Sequence, residues 1–156
     1  MSIWESSDWK EYYLDKPHRS GVRLRFDSKV DIDVRNAIKR MVSWLRKRYE
    51  FPMRIHVYIK GSSLIRARDG DMVYDLFFWP NCRDVEPHIK IATGDYYNLT
   101  KEIGKDDAIA TILLALLIEL THYFQWLNGK EFSYTTLNRQ ASRTGRKVLE
   151  TYAETL

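Results

Sequence analysis

The segment from residue 106 to residue 128, DDAIATILLALLIELTHYFQWLN, constrains the fold more than any other stretch of the chain. Asp106 is placed to cap a helix and Gly129 to stop it. Such a helix is roughly 33 Å long at about 1.5 Å per residue. From Ala108 to Ile118 it is apolar almost all the way round, so it belongs in the middle of a domain. That run is too short to span a bilayer. In the second half Glu119, His122 and Gln125 recur every three residues and draw one polar stripe along the rod. A buried carboxylate without partners is costly, so the stripe must meet a cleft, a water or a polar partner.

The remaining elements order themselves around this helix. Residues 5 to 14 read as a short aromatic-rich helix, and GVRLRF (21–26) alternates as a half-buried strand does. Asp27, Ser28 or Asp31 caps a first long helix that ends before Pro52. RIHVYIKG (54–61) is a strand with Ile55, Val57 and Ile59 on one face. MVYDLFFW (72–79) follows a turn at RDGD and is expected to form a hairpin with that strand. HIKIATGDY (88–96) is a further strand running into a glycine turn, and a last helix begins at Ser133 or Thr135. A helix, several strands, then two helices make an α+β fold in one domain, residues 1–156, with a mixed or antiparallel sheet packed on the central helix.

Composition narrows the function classes. With one cysteine, Cys82, the chain has no intramolecular disulfide and no Cys-rich zinc module. The start, MSIWESSDWKEYY, has neither a basic nor an apolar leader region, so a cytoplasmic protein is expected. The net charge of +4 raises the question of nucleic acid. In VRNAIKRMVSWLRKRYE, however, the cations Arg35, Lys39, Arg40, Arg46, Lys47 and Arg48 alternate with an apolar face of Val34, Ile38, Met41, Val42 and Leu45. They read as the solvated side of an amphipathic helix, and neither nucleic acid nor membrane is an expected partner. His18 and His56 are lone histidines without a metal-binding spacing, and Trp44, Trp79 and Trp126 read as core or cleft-wall residues.

The run IELTHYFQWLN resembles the active-site helix of the zincin metallopeptidases, most closely the small gluzincin-like group in which H-E-L-x-H-x-x-Q-W recurs. Glu119, Leu120, His122, Gln125 and Trp126 carry the resemblance, and it extends over roughly residues 54 to 156. It implies a zincin-like fold in which the central helix floors a cleft bordered by Gln125, Trp126 and Tyr123. A rim strand such as 88–94 would there pair with an extended peptide or protein segment. In that family two imidazoles at i and i+4 hold zinc, the intervening glutamate acts on the zinc-bound water, and a third ligand comes from the next helix.

The first ligand position holds Ile118, so a nitrogen donor is missing. An antiparallel return of the last helix brings NRQA level with His122, which puts Asn138 where the resemblance implies glutamate. Asparagine offers only a neutral carbonyl oxygen, a poor zinc donor. The expectation is an inactive metallopeptidase-like protein without a cofactor, with Glu119 and His122 as remnants of its site. The alternative is a working zinc hydrolase with a rearranged site that draws on His88 or Glu150. A di-iron bundle, suggested by Glu119-x-x-His122, lacks the further glutamates that it needs.

Overall fold

In the computed structural model, which describes residues 2–131 and 134–156, the chain is α+β, with a four-stranded mixed sheet, a small two-stranded sheet and five α-helices. A 3-10 helix at Ile3–Glu5 and α1 (Trp9–Tyr13) precede β1 (Val22–Phe26). Next comes α2 (Ile32–Arg48), whose start is capped by Asp31, the carboxylate accepting from the Asp33 N–H at 2.8 Å. One stripe of this helix (Val34, Ile38, Met41, Val42, Leu45) is buried and the cations face outward. β2 (Ile55–Lys60) follows with a strict alternation of buried and partly exposed residues.

The hairpin expected between 54–61 and 72–79 does not form. The RDGD turn instead closes a two-stranded hairpin of β3 (Ile65–Arg66) and β4 (Met72–Val73), while β5 (Asp75–Phe78) runs antiparallel to β6 (His88–Ala92). The sheet order is β1-β2-β6-β5, with β1, β2 and β6 parallel and β5 as an antiparallel edge. The β6 strand is therefore hydrogen-bonded on both sides. It cannot take up a peptide as a rim strand, and the edge beside the central helix is β5.

Beyond β6 the chain forms an unforeseen helix, α3 (Tyr96–Ile103), and turns at Gly104 (φ 87°) into α4 (Lys105–Leu127). Asp106 is not the cap, since it lies in the first turn beside Asp107, where both carboxylates favour the positive end of the helix dipole. The far end is closed by several groups. Gly129 takes φ 74°, Arg83 Nη1 donates to the Leu127 carbonyl at 3.2 Å, and Asn128 Nδ2 donates to the Phe124 carbonyl at 2.8 Å. Ser133, one proposed start of the last helix, lies outside the described residues. From Tyr134 to Ala153 the chain forms α5, which packs along α4.

The core lies between α2, α4 and the inner face of the sheet, where Ile55, Val57, Ile59, Ile89 and Ile91 are buried together with Leu116, Leu120, Phe124 and Leu127. By length and composition α4 is the one helix among the described residues apolar enough to cross a membrane, yet most of it is buried inside the protein, as a core helix is. The α4–α5 contact is close because Gly145 has no side chain. A Cβ there would stand 3.0 Å from Ile118 Cγ1 and 3.2 Å from the Ile118 backbone nitrogen.

Candidate functional site

Helical geometry puts residues three apart on neighbouring ground, and the stripe of α4 does face one region, between β5 and α5. His122 Nδ1 lies 2.7 Å from Gln125 Oε1. The Gln125 amide nitrogen donates to the Leu137 carbonyl (2.9 Å) and to Gln140 Oε1 (2.8 Å), both on α5. With the amide held that way, its oxygen must accept, so His122 Nδ1 carries the proton and Nε2 keeps its lone pair. Asn138 faces the same imidazole from α5 and opposes the lowering of its pKa. Antiparallel return of the last helix thus brings Asn138 level with His122.

Glu119 is 5% exposed, and its carboxyl group meets a residue that the sequence did not single out. Asp75, on the edge strand β5, hydrogen-bonds it and also acts on His122. Burial, the Asp75 charge and that hydrogen bond push Glu119 well above the ordinary carboxylate range. Asp75 is raised by its own burial, but the hydrogen bond from Glu119 and the nearness of His122 oppose this. Two carboxyls this close oppose each other's ionisation, and Glu119, the more deeply buried, is raised more strongly than Asp75. His122 is lowered by burial against the opposing pull of Gln125, Asn138 and Asp75, so it is neutral at pH 7. Its Nε2 approaches Glu119 Oε1 to only 3.8 Å. At that distance the approach is not a hydrogen bond.

Other expected cleft residues are elsewhere. Tyr123 is fully buried and its hydroxyl is used by the Met53 backbone, accepting from the N–H at 3.1 Å and donating to the carbonyl. It turns about 100° away from His122 along the helix, into the core. Trp126 is also buried, with Nε1 donating to the Pro80 carbonyl at 2.9 Å, which fastens the end of β5 to α4. Gln125 is fully buried and positions His122 instead of lining open space. Open space adjoins Asp75, where a cavity of about 350 Å³ is bounded by Tyr74, Ile91, Thr93, Tyr96, Leu99 and Ala115.

The donors for a catalytic zinc do not come together. Ile118 packs on Gly145 and offers none, His122 is the one imidazole on the stripe, and Asn138 stands across from it. His88 lies on the opposite face of the sheet, stacked on Phe78 at 4.8 Å. Glu150 is twelve residues along α5 from Asn138, roughly 18 Å away at about 1.5 Å per residue. Among the described residues no three His, Cys, Asp or Glu side chains gather in a way that could hold a metal ion. In comparisons with known proteins, no family model, curated protein or solved structure matches the chain.

Replacing Glu119 with Gln should stabilise the protein at neutral pH. Because its folded pKa is raised above the unfolded value of 4.5, the contribution of Glu119 is complete below 4.5 and is lost as pH rises through the folded value. The loss amounts to at most about 1.4 kcal/mol per pH unit. His122, lowered from 6.5, has the opposite slope, with stability falling as pH drops below that value, so the comparison must be with wild type at each pH. Urea midpoints from about pH 5 to about pH 8 should decline for wild type relative to Glu119→Gln; parallel curves would show that Glu119 is ionised in the fold.

Proposed function

We propose that the chain is an inactive zincin-like protein of the cytoplasm, a pseudo-metallopeptidase that acts as a binding or regulatory module through a cleft along α4. The observation that carries this reading is the set of partners around His122. Ile118 and Asn138 occupy the two places where the resemblance calls for ligands, and a hydrogen bond to Gln125 holds the remaining imidazole with Asn138 facing it. Glu119, the group that would act as base, is buried against Asp75, and both burial and that neighbour push its carboxyl well above the ordinary range. A general base must be ionised to work, and burial beside Asp75 works against ionising this glutamate.

The edge strand β5 supports the binding half of the reading. The Ala92 N–H donates to the Tyr74 carbonyl at 2.8 Å, and alternation of an antiparallel ladder then turns the N–H and C=O groups of Asp75 and Phe77 outward. An extended peptide laid along α4 has these groups to pair with and the cavity beside Asp75 to fill. Incubation of the purified protein with casein and generic peptides, with and without added zinc, is expected to give no hydrolysis. Chelator-sensitive cleavage that disappears in Glu119→Gln would overturn the proposal in favour of a working hydrolase.

A further inference from the structure

The sheet has a second face, and it is chemically unlike the first. The inner residues of β2 and β6 are buried, whereas their outward neighbours are all partly exposed and none belongs to the core. Strand register aligns those neighbours in two rows across the sheet. One runs Arg23, His56, His88 and Phe78. The other runs Arg25, Tyr58, Lys90 and Leu76. Neither row contains a carboxylate.

Two properties of this face point the same way. The rings form a connected array: His56 to Tyr58 at 6.4 Å and 17° between planes, Tyr58 to His88 at 6.1 Å, His88 to Phe78 at 4.8 Å and 13°. Burial, with Lys90 and His56 nearby, holds His88 below the ordinary imidazole value, so it is a neutral ring at pH 7. Around the array the cations are unneutralised. Glu86 is committed to Arg19 and His56, and Asp27 approaches Lys60, while Arg23, Arg25 and Lys90 have no ion pair among the described residues. A face kept only for solubility would carry both signs of charge and few rings. An acidic peptide satisfies the cations but leaves the flat rings unused. Bases and phosphates use both.

We infer that this partly exposed sheet face binds single-stranded nucleic acid, with bases stacking on the Tyr58–His88–Phe78 array and phosphates paired by Arg23, Arg25 and Lys90. The cations of α2 gave no such indication, because they line the outer side of an amphipathic helix and their ring contacts, such as Arg48 over Trp44 at 5.4 Å and Arg35 over Phe26 at 5.0 Å, are single pairs and not an array. Strand order brings rings and cations together from positions as far apart as 23 and 90. The surface lies across the sheet from α4 and is independent of the cleft reading.

The test is fluorescence anisotropy of a labelled dT oligonucleotide of about ten nucleotides, titrated with the whole protein over a range of salt. Binding is expected, weakening with salt at a log–log slope near −2, since about three phosphates are neutralised at roughly −0.7 each. Tyr58→Ala with His88→Ala should weaken it by about tenfold or more, and Tyr58→Phe should restore the ring and most of the affinity. Arg25→Gln with Lys90→Gln should flatten the salt slope, whereas Arg143→Gln with Arg146→Gln on α5 should leave it unchanged. All these side chains are outside the core, and melting temperatures near that of wild type verify folding. Absence of binding would overturn the inference. So would equal affinity for a duplex or for polyglutamate, or indifference to loss of the rings.

Discussion

Trp126→Ala is expected to remove about 3–5 kcal/mol of folding stability, the largest loss foreseen for a single substitution here. The indole is 2% exposed and lies against Phe77 and Tyr123, with ring centroids at 6.4 and 6.2 Å. Its truncation leaves a cavity where β5 meets α4. A second loss follows, because Nε1 no longer satisfies the Pro80 carbonyl. An unpaired buried polar group costs about 1–3 kcal/mol, so Trp126→Phe, which keeps a ring but no donor, should recover only part of the stability. Domains of this size are stable by about 5–15 kcal/mol, so the alanine variant should be close to unfolding at 37 °C. Urea denaturation of the three proteins gives the comparison. An alanine variant with the wild-type midpoint would mean that the β5–α4 junction does not depend on this side chain.

How much of this arrangement was legible in the sequence depends on the range of the interactions involved. The central helix was plain, because the eleven residues from Ala108 to Ile118 repeat the same local signal and Gly129 ends it. Asp31 as a cap and the alternation in β2 were equally local. Strand order was not. In VYDLFFW nothing records that the partner strand lies ahead at 88–92 rather than behind at 55–60, and the expected hairpin therefore failed. The eight-residue α3 carries too few turns for its periodicity to stand out after the glycine turn.

The same distinction divides the site. Glu119, His122 and Gln125 share a helix face by spacing alone, and the antiparallel return of α5 follows from a short connection, which brings Asn138 to His122. Tyr123 was misplaced although the information was present, since a residue adjacent to His122 points about 100° away on a helix. Asp75 was invisible for a different reason. It is a lone aspartate in a strand 44 positions before Glu119, and only the fold makes them one titrating pair. The one available signal was an acidic side chain interrupting an apolar strand, which asks for a polar partner once the strand is buried.

The central claim is that Ile118 and Asn138 occupy two lost ligand positions of a zinc site whose remaining imidazole is His122. The most direct measurement is the melting temperature, with and without stoichiometric zinc, of wild type, Ile118→His, Asn138→Glu and the double variant. Histidine at 118 lies one turn before His122 on α4, in the space beside Gly145 where no side chain intervenes. Glutamate at 138 approaches the same imidazole from α5, where Asn138 now faces it. Without zinc, Ile118→His should lose about 1–3 kcal/mol, because a polar ring replaces an apolar side chain at the helix contact. In the double variant zinc should restore stability, by about 2.7 kcal/mol when its free concentration is a hundred times the dissociation constant. The account predicts a zinc-dependent rise in the double variant, a smaller one in each single variant and none in wild type. A double variant indifferent to zinc, or a wild type that gains as much as the double variant, would contradict it.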